Sequence, residues 1–121
     1  MPKTVLSVDD SKSIRDMIGF TLQPQGYNVL GAGDGVEGLA ALAKNEVHLV
    51  LCDLNMPNMN GIEMIQKVRA DNRFDGIPIV MLTTEAQKEK MKEAKEAGAT
   101  GWIVKPFDEE KLISVVSKLA G

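Results

Sequence analysis

Apolar residues cluster in five short runs, at residues 4–8, 28–32, 48–52, 77–82 and 100–104, and each run stops at polar or turn-forming residues. Runs of this length, rich in Val, Ile and Leu and closed by Asp, Gly, Thr or Pro, predict β-strands; the second, Asn28-Val29-Leu30-Gly31-Ala32, is the weakest. Between them the period changes to that of a helix. Ile14, Met17, Ile18 and Leu22 recur on one helical face, leaving Arg15 and Asp16 for solvent, and Pro24 and Gly26 end that helix. Asp34 followed by Glu37 resembles a capping box and opens a helix expected to bury Val36, Leu39, Leu42 and Ala43. Gly61 begins a third helix with Ile62, Ile65 and Val68 inward, and Leu112, Val115, Val116 and Leu119 stripe the last one.

The stretch 85–97 is helical by propensity yet almost wholly polar, with Gly98 as its C-terminal stop. Only Ala86, Met91, Ala94 and Ala97 offer apolar surface. At about 25 cal/mol per Å² of buried apolar area, such small side chains anchor a helix weakly, so this is the expected mobile element.

Strands alternating with helices five times predict an α/β fold with a parallel sheet and helices on both faces. A length of 121 residues with 44% hydrophobic content suits one domain, expected over residues 1–121 with no output domain attached. The net charge of −3 carries no nucleic-acid footprint. A single cysteine, Cys52, fits a reducing compartment. No apolar run approaches the roughly 20 residues of a bilayer span, and Asp9-Asp10 arrives too early for a signal peptide. The expectation is a soluble, cytoplasmic monomer that binds neither membrane nor nucleic acid.

Chemistry gathers where the strands end. The run 48–52 delivers Asp53 to the carboxyl edge of the sheet, where ligands collect in open α/β folds. Asp9 and Asp10 follow the first strand, Thr83 the fourth and Lys105 the fifth. Singly these are ordinary: Asp-Asp caps helices, Thr-Thr starts them, and Lys-Pro makes turns. If the strand order is 2-1-3-4-5, the four ends converge on one mouth. Clustered carboxylates repel unless a cation neutralises them, and a hard cation held by one or two carboxylates, water and phosphate is Mg²⁺. Carboxylates, Mg²⁺, a lysine and a hydroxyl are the parts of a phosphoryl-transfer site with Asp53 as nucleophile.

The motifs Val8-Asp9-Asp10-Ser11, Asp53-Leu54-Asn55-Met56-Pro57 with Asn60-Gly61, Leu82-Thr83-Thr84, and Gly98-Ala99-Thr100-Gly101 leading to Lys105-Pro106-Phe107 span nearly the whole chain. Together they resemble the response-regulator receiver domain, in particular its single-domain chemotaxis members. The resemblance implies a flavodoxin-like (βα)5 fold with order 2-1-3-4-5, of which receivers are a standard example. It implies that Asp53 is the phosphoacceptor, that Asp10, Asp53 and the Asn55 carbonyl bind Mg²⁺ with Asp9 acting through water, that Lys105 contacts the phosphoryl group, and that Thr83 moves to hydrogen-bond it. It also implies a cis Lys105–Pro106 peptide and a role for Asn55 and Glu85 in the lifetime of the acyl phosphate. Trp102 stands at the family's aromatic switch position, where Tyr or Phe is commoner. Around it, Ala86, Lys88, Met91, Trp102 and Val104 form the implied partner surface.

The implied partners are a sensor histidine kinase (CheA-like), or a small donor such as acetyl phosphate, and a protein effector, with a flagellar motor switch protein first and a phosphatase as a further candidate. A phosphorelay intermediate or non-motility adaptor is the alternative. An aspartyl-phosphate phosphatase is disfavoured because no insertion is long enough to form a substrate cap, so the chain is not expected to be an enzyme, self-phosphorylation and self-dephosphorylation apart. A flavin module is disfavoured because Asp9-Asp10 would repel a phosphate where such folds offer backbone N–H groups. A degenerate docking domain would lack a key residue, and none is missing.

Overall fold

The computed structural model describes residues 2–120; Met1 and Gly121, the ends of the expected domain, lie outside them. Strands β1 (Thr4–Val8), β2 (Asn28–Ala32), β3 (Leu49–Asp53), β4 (Ile79–Thr84) and β5 (Gly101–Lys105) form one sheet in the order β2-β1-β3-β4-β5. All four strand pairs are parallel. Parallel neighbours require crossovers, supplied by α1 (Lys12–Leu22), α2 (Gly35–Lys44), α3 (Gly61–Arg69) and α4 (Met91–Ala97), with α5 (Glu109–Ala120) closing the chain. The fold is the flavodoxin-like (βα)5 arrangement that the resemblance implied.

The side-chain alternation of the strands divides the core in two. Val5, Leu49, Leu51, Val80, Leu82 and Ile103 face α1 and α5, packing on Ile18, Leu22, Leu112 and Val116. Leu6, Val8, Val50, Cys52, Ile79 and Met81 face α2, α3 and α4, packing on Leu42, Ile65, Val68 and Ala94. Covered on both faces, β3 is buried along its whole length.

Three sequence expectations change. The fourth strand starts at Ile79 instead of residue 77, because Pro78 has no N–H for the ladder; its carbonyl still accepts from Val50 N at 2.9 Å. The second change concerns α2, where Val36 and Ala43 are exposed while Gly35, Gly38 and Leu42 are buried. Glycine lets this helix approach closely: a Cβ at Gly38 would lie 2.8 Å from Met64 Cε and 3.1 Å from Val8 Cγ2. The expected capping box is also shifted, for Asp34 accepts from Glu37 N–H while Glu37 accepts from Gly33, one residue before the cap.

Third, the helix expected over 85–97 is two elements. Glu85–Lys90 is a 3₁₀ segment that buries no side chain, and α4 begins only at Met91. Without a buried face nothing holds the first half to α-geometry. Gly98 ends α4 in the left-handed conformation expected of it, φ 117°. Arg69, at the end of α3, donates from Nε and Nη2 to the Gly98 carbonyl at 3.1 and 2.9 Å, fixing the far end of α4.

Candidate functional site

Asp9, Asp53 and Lys105 share one strand parity: they lie four, two and two residues after Val5, Leu51 and Ile103, which face α1 and α5. The sheet therefore brings them to one side of its carboxyl edge. One carboxylate oxygen from each of Asp9, Asp10 and Asp53 lies within 4.8 Å of the others. Asp9 is only 1% exposed and Asp53 8%, whereas Asp10 is open to solvent. Asp9 is held by the turn into α1, its Oδ1 accepting from Ser11 N–H at 2.9 Å, while Ser11 Oγ caps the helix by accepting from Ile14 N–H.

Lys105 reaches between two of the three acids. Its Nζ donates to Asp53 Oδ1 at 3.0 Å and to Asp9 Oδ2 at 3.1 Å. Burial pushes the Asp53 carboxyl above its ordinary pKa, and the neighbouring Asp9 charge adds to this against the hydrogen bond from Lys105. For Lys105 burial works against the charge, but the bonds to Asp53 and Asp9 prevail and raise its pKa. The site thus holds an excess of negative charge at low solvent exposure, with oxygen donors only, the donor set a hard divalent cation accepts. These residues fit Mg²⁺.

Thr83 falls in the other parity of β4, with Ile79 and Met81. Its Oγ1 is fully buried and has no hydrogen-bond partner. A buried hydroxyl without a partner is costly and needs an explanation. Asn55 is exposed on the loop after β3, and the Lys105–Pro106 peptide is cis. Trp102 is 47% exposed on β5; Val104 is half-buried; Ala86 and Lys88 are exposed on the 3₁₀ segment. Trp102, Val104, Pro106, Phe107 and Lys111 line a shallow groove of about 400 Å³. Glu85, the expected lifetime residue, pairs with Lys88 at 3.1 Å.

Met91 does not belong to the partner surface. It is 8% exposed and packs in the core cluster that includes α3. As the one large apolar side chain of α4, it is spent on anchoring that helix.

Two contacts had no signal in the local pattern. Arg15, assigned to solvent, folds back so that Nη1 donates to the Asp9 backbone carbonyl. Its stem lies over Gly31, where a Cβ would sit 3.3 Å from Arg15 Cδ. Asp34, beyond capping α2, accepts from Asn58 Nδ2 at 2.7 Å. A concavity of about 690 Å³, lined by Thr4, Tyr27, Asn28 and Glu46 among others, lies at the amino-terminal ends of the strands, away from the acids.

A flavodoxin-like sheet with this acidic, lysine-bridged mouth defines a class, and the chain belongs to the response regulator receiver domain family, whose model matches residues 5–117. Within it, the chain is 46% identical over 110 residues to chemotaxis protein CheY1 of Helicobacter pylori (strain J99 / ATCC 700824), covering 89% of each protein. It is 42% identical over 119 residues to the chemotaxis protein CheY homolog of Campylobacter jejuni subsp. jejuni (serotype O:23/36, strain 81-176), covering 97% of this chain and 92% of the relative. Among solved structures, chemotaxis response regulator CheY4 of Vibrio cholerae superposes with a TM-score of 0.93 at 45% identity, covering 98% of this chain and 99% of that one. No helix among the described residues is long and apolar enough to cross a membrane.

Proposed function

We propose that the chain is a CheY-type response regulator that accepts a phosphoryl group on Asp53 from a histidine kinase and signals by protein–protein contact. The observation carrying this reading is the bridging of Asp53 and Asp9 by one ammonium, Lys105, beside a third acid at the carboxyl edge. An Asp53 oxygen forms a bond to phosphorus as the phosphorus–nitrogen bond of a phosphohistidine breaks, and the leaving imidazole keeps the bonding electrons and picks up a proton. With acetyl phosphate the leaving group is acetate.

Asp10, Asp53 and the Asn55 backbone carbonyl would hold Mg²⁺, with Asp9 acting through a bound water. When bound, the ion supplies positive charge to the phosphoryl oxygens. Lys105 exchanges its bond to Asp53 Oδ1 for one to a phosphoryl oxygen while keeping Asp9. Thr83 turns its unpaired hydroxyl to the new acceptor, which gives a buried orphan group a partner in the phosphorylated state alone. Shifting a two-state equilibrium from 1:99 to 99:1 takes about 5.5 kcal/mol, and charge-assisted bonds of roughly 1.5–3 kcal/mol each approach that sum. The responding element is the 3₁₀ segment and α4. The surface offered to an effector comprises Trp102, Val104, Ala86 and Lys88.

The likeness to chemotaxis proteins supports a CheA-like kinase and a flagellar motor switch effector, and hence a cytoplasmic setting. A phosphorelay role predicts instead that the phosphoryl group passes from Asp53 to a second histidine. The deciding experiment is the intact mass after incubation with acetyl phosphate and Mg²⁺. One added phosphoryl group, lost in Asp53→Asn and without the metal, supports the reading. No adduct, together with no beryllofluoride binding by ¹⁹F NMR, overturns it.

A further inference from the structure

The loop joining β3 to α3, residues 54–60, carries Asn55 and is fastened at a point the phosphoryl chemistry does not touch. Nδ2 of Asn58 donates to Oδ2 of Asp34 at 2.7 Å, across 24 positions of sequence. Asp34 is 7% exposed, and its other oxygen accepts from Glu37 N–H at 2.9 Å, capping α2. Asn58 has φ 66°, the one positive φ outside glycine among the described residues. Asparagine enters this region more readily than most residues, but the conformation persists only where its surroundings enforce it.

Those surroundings are the amino end of α2. A Cβ at Gly35 would lie 2.8 Å from Met59 Cγ and 2.9 Å from Met59 Cβ, so the loop rests directly on that turn. Met59 N–H donates to the Pro57 carbonyl at 2.7 Å, and Gly61 N–H to the Leu54 carbonyl at 2.9 Å, closing the loop on itself. Asn60 ties the loop to α3, which follows it directly, by accepting from Glu63 N–H at 2.9 Å. Among the described residues the Asn58–Asp34 bond is the side-chain hydrogen bond that reaches from the loop to a distant segment, and its charged acceptor makes it one of the stronger kinds.

We propose that Asp34 and Asn58 form a clamp that holds the β3–α3 loop in its metal-binding shape, making Asp34 a positioning residue for the phosphoacceptor centre. This rests on the receiver reading given above. Asp53 ends β3 and Asp9 directly follows β1, where the sheet orients them, and Asp10 sits in the short turn into α1. The Asn55 carbonyl is the proposed ligand carried by the longer β3–α3 loop, so its direction depends on the shape of that loop. Releasing the clamp therefore weakens Mg²⁺ binding without altering any ligand, in the manner of other groups that orient metal ligands from behind.

The test separates the clamp from the helix cap. Asp34→Ser retains a cap, because serine accepts from the Glu37 N–H, but it lacks the second carboxylate oxygen to which Asn58 bonds, so Asn58 is released. Asn58→Gly keeps the positive φ without strain and deletes the amide. Each variant is expected to weaken Mg²⁺ binding, measured by isothermal titration calorimetry, by about tenfold, the lower end for such orienting partners. The double variant is expected to be no weaker than either single one, since both break the same bond. Asp34→Asn, which keeps the cap and can pair with a turned Asn58 amide, restores most of the affinity. Wild-type affinity in Asn58→Gly, or losses that multiply in the double variant, overturns the clamp; if Asp34→Ser fails to fold, Asn58→Gly decides alone. Wild-type protein that binds Mg²⁺ and is phosphorylated beside unaffected variants removes the clamp and leaves the receiver reading standing. Wild-type protein that does neither removes both.

Discussion

The ammonium of Lys105 lies 3.0 Å from Asp53 Oδ1, on the carboxylate proposed to accept the phosphoryl group. The same nitrogen holds Asp9 Oδ2 at 3.1 Å, so one cation bridges two buried carboxylates.

Lys105→Met leaves those carboxylates facing each other without a counter-charge. Without Mg²⁺ at neutral pH, the variant is expected to lose about 2–3 kcal/mol of stability. Saturating Mg²⁺ should narrow that gap, because another cation then neutralises the acids. Urea unfolding with and without the metal measures both.

Asp53→Asn should be more stable than wild type in the absence of Mg²⁺ at neutral pH. The sign follows from the raised pKa of the folded state. The native protein binds the Asp53 proton more tightly than the unfolded chain does, so this group's contribution worsens as pH rises. Its penalty is absent below the unfolded value of 3.8, grows as pH climbs to the folded pKa, and is complete above it. The difference between the two proteins in urea unfolding should follow that course and vanish in acid.

Thr83→Val removes a buried hydroxyl that has no partner. The unphosphorylated variant should match or exceed wild-type stability, by up to about 1 kcal/mol. It should still bind beryllofluoride, but the accompanying change in Trp102 fluorescence and the gain in effector affinity should be lost. An undiminished response to beryllofluoride would show that Thr83 does not couple the site to the surface.

Gly61→Ala tests how tightly the loop must close after the phosphoacceptor. A Cβ there would overlap the Asp53 carbonyl oxygen and lie 2.7 Å from Met81 Cε. Because the first of these is backbone, relief requires moving the strand end itself. The expected cost is about 3 kcal/mol, read as a lowered urea midpoint, with weakened Mg²⁺ binding beside it.

Much of this protein can be read along the chain. The apolar runs and the polar residues that stop them already locate five strands, and the helical stripes of α1, α3 and α5 are local patterns of period 3.6. The acids, Thr83 and Lys105 could be singled out because each directly follows or ends such a run. The strand order that makes them neighbours came from family resemblance, since the alternation of strands and helices does not specify it.

What the tertiary structure decided are matters of approach distance between segments far apart in sequence. Val36 and Ala43 have the right character for a buried face, yet α2 seats itself through Gly35 and Gly38, because only a helix without side chains there comes close enough to Val8, Met59 and Met64. The polar stretch 85–97 has uniform helical propensity, but only the part reached by the core, from Met91 onward, is α-helical. Arg15 and Asn58 look like solvent residues until the fold puts an Asp9 carbonyl and an Asp34 carboxylate within their reach. Periodicity records which side of an element is apolar; which atoms meet depends on how closely the elements pack, and no single segment carries that information.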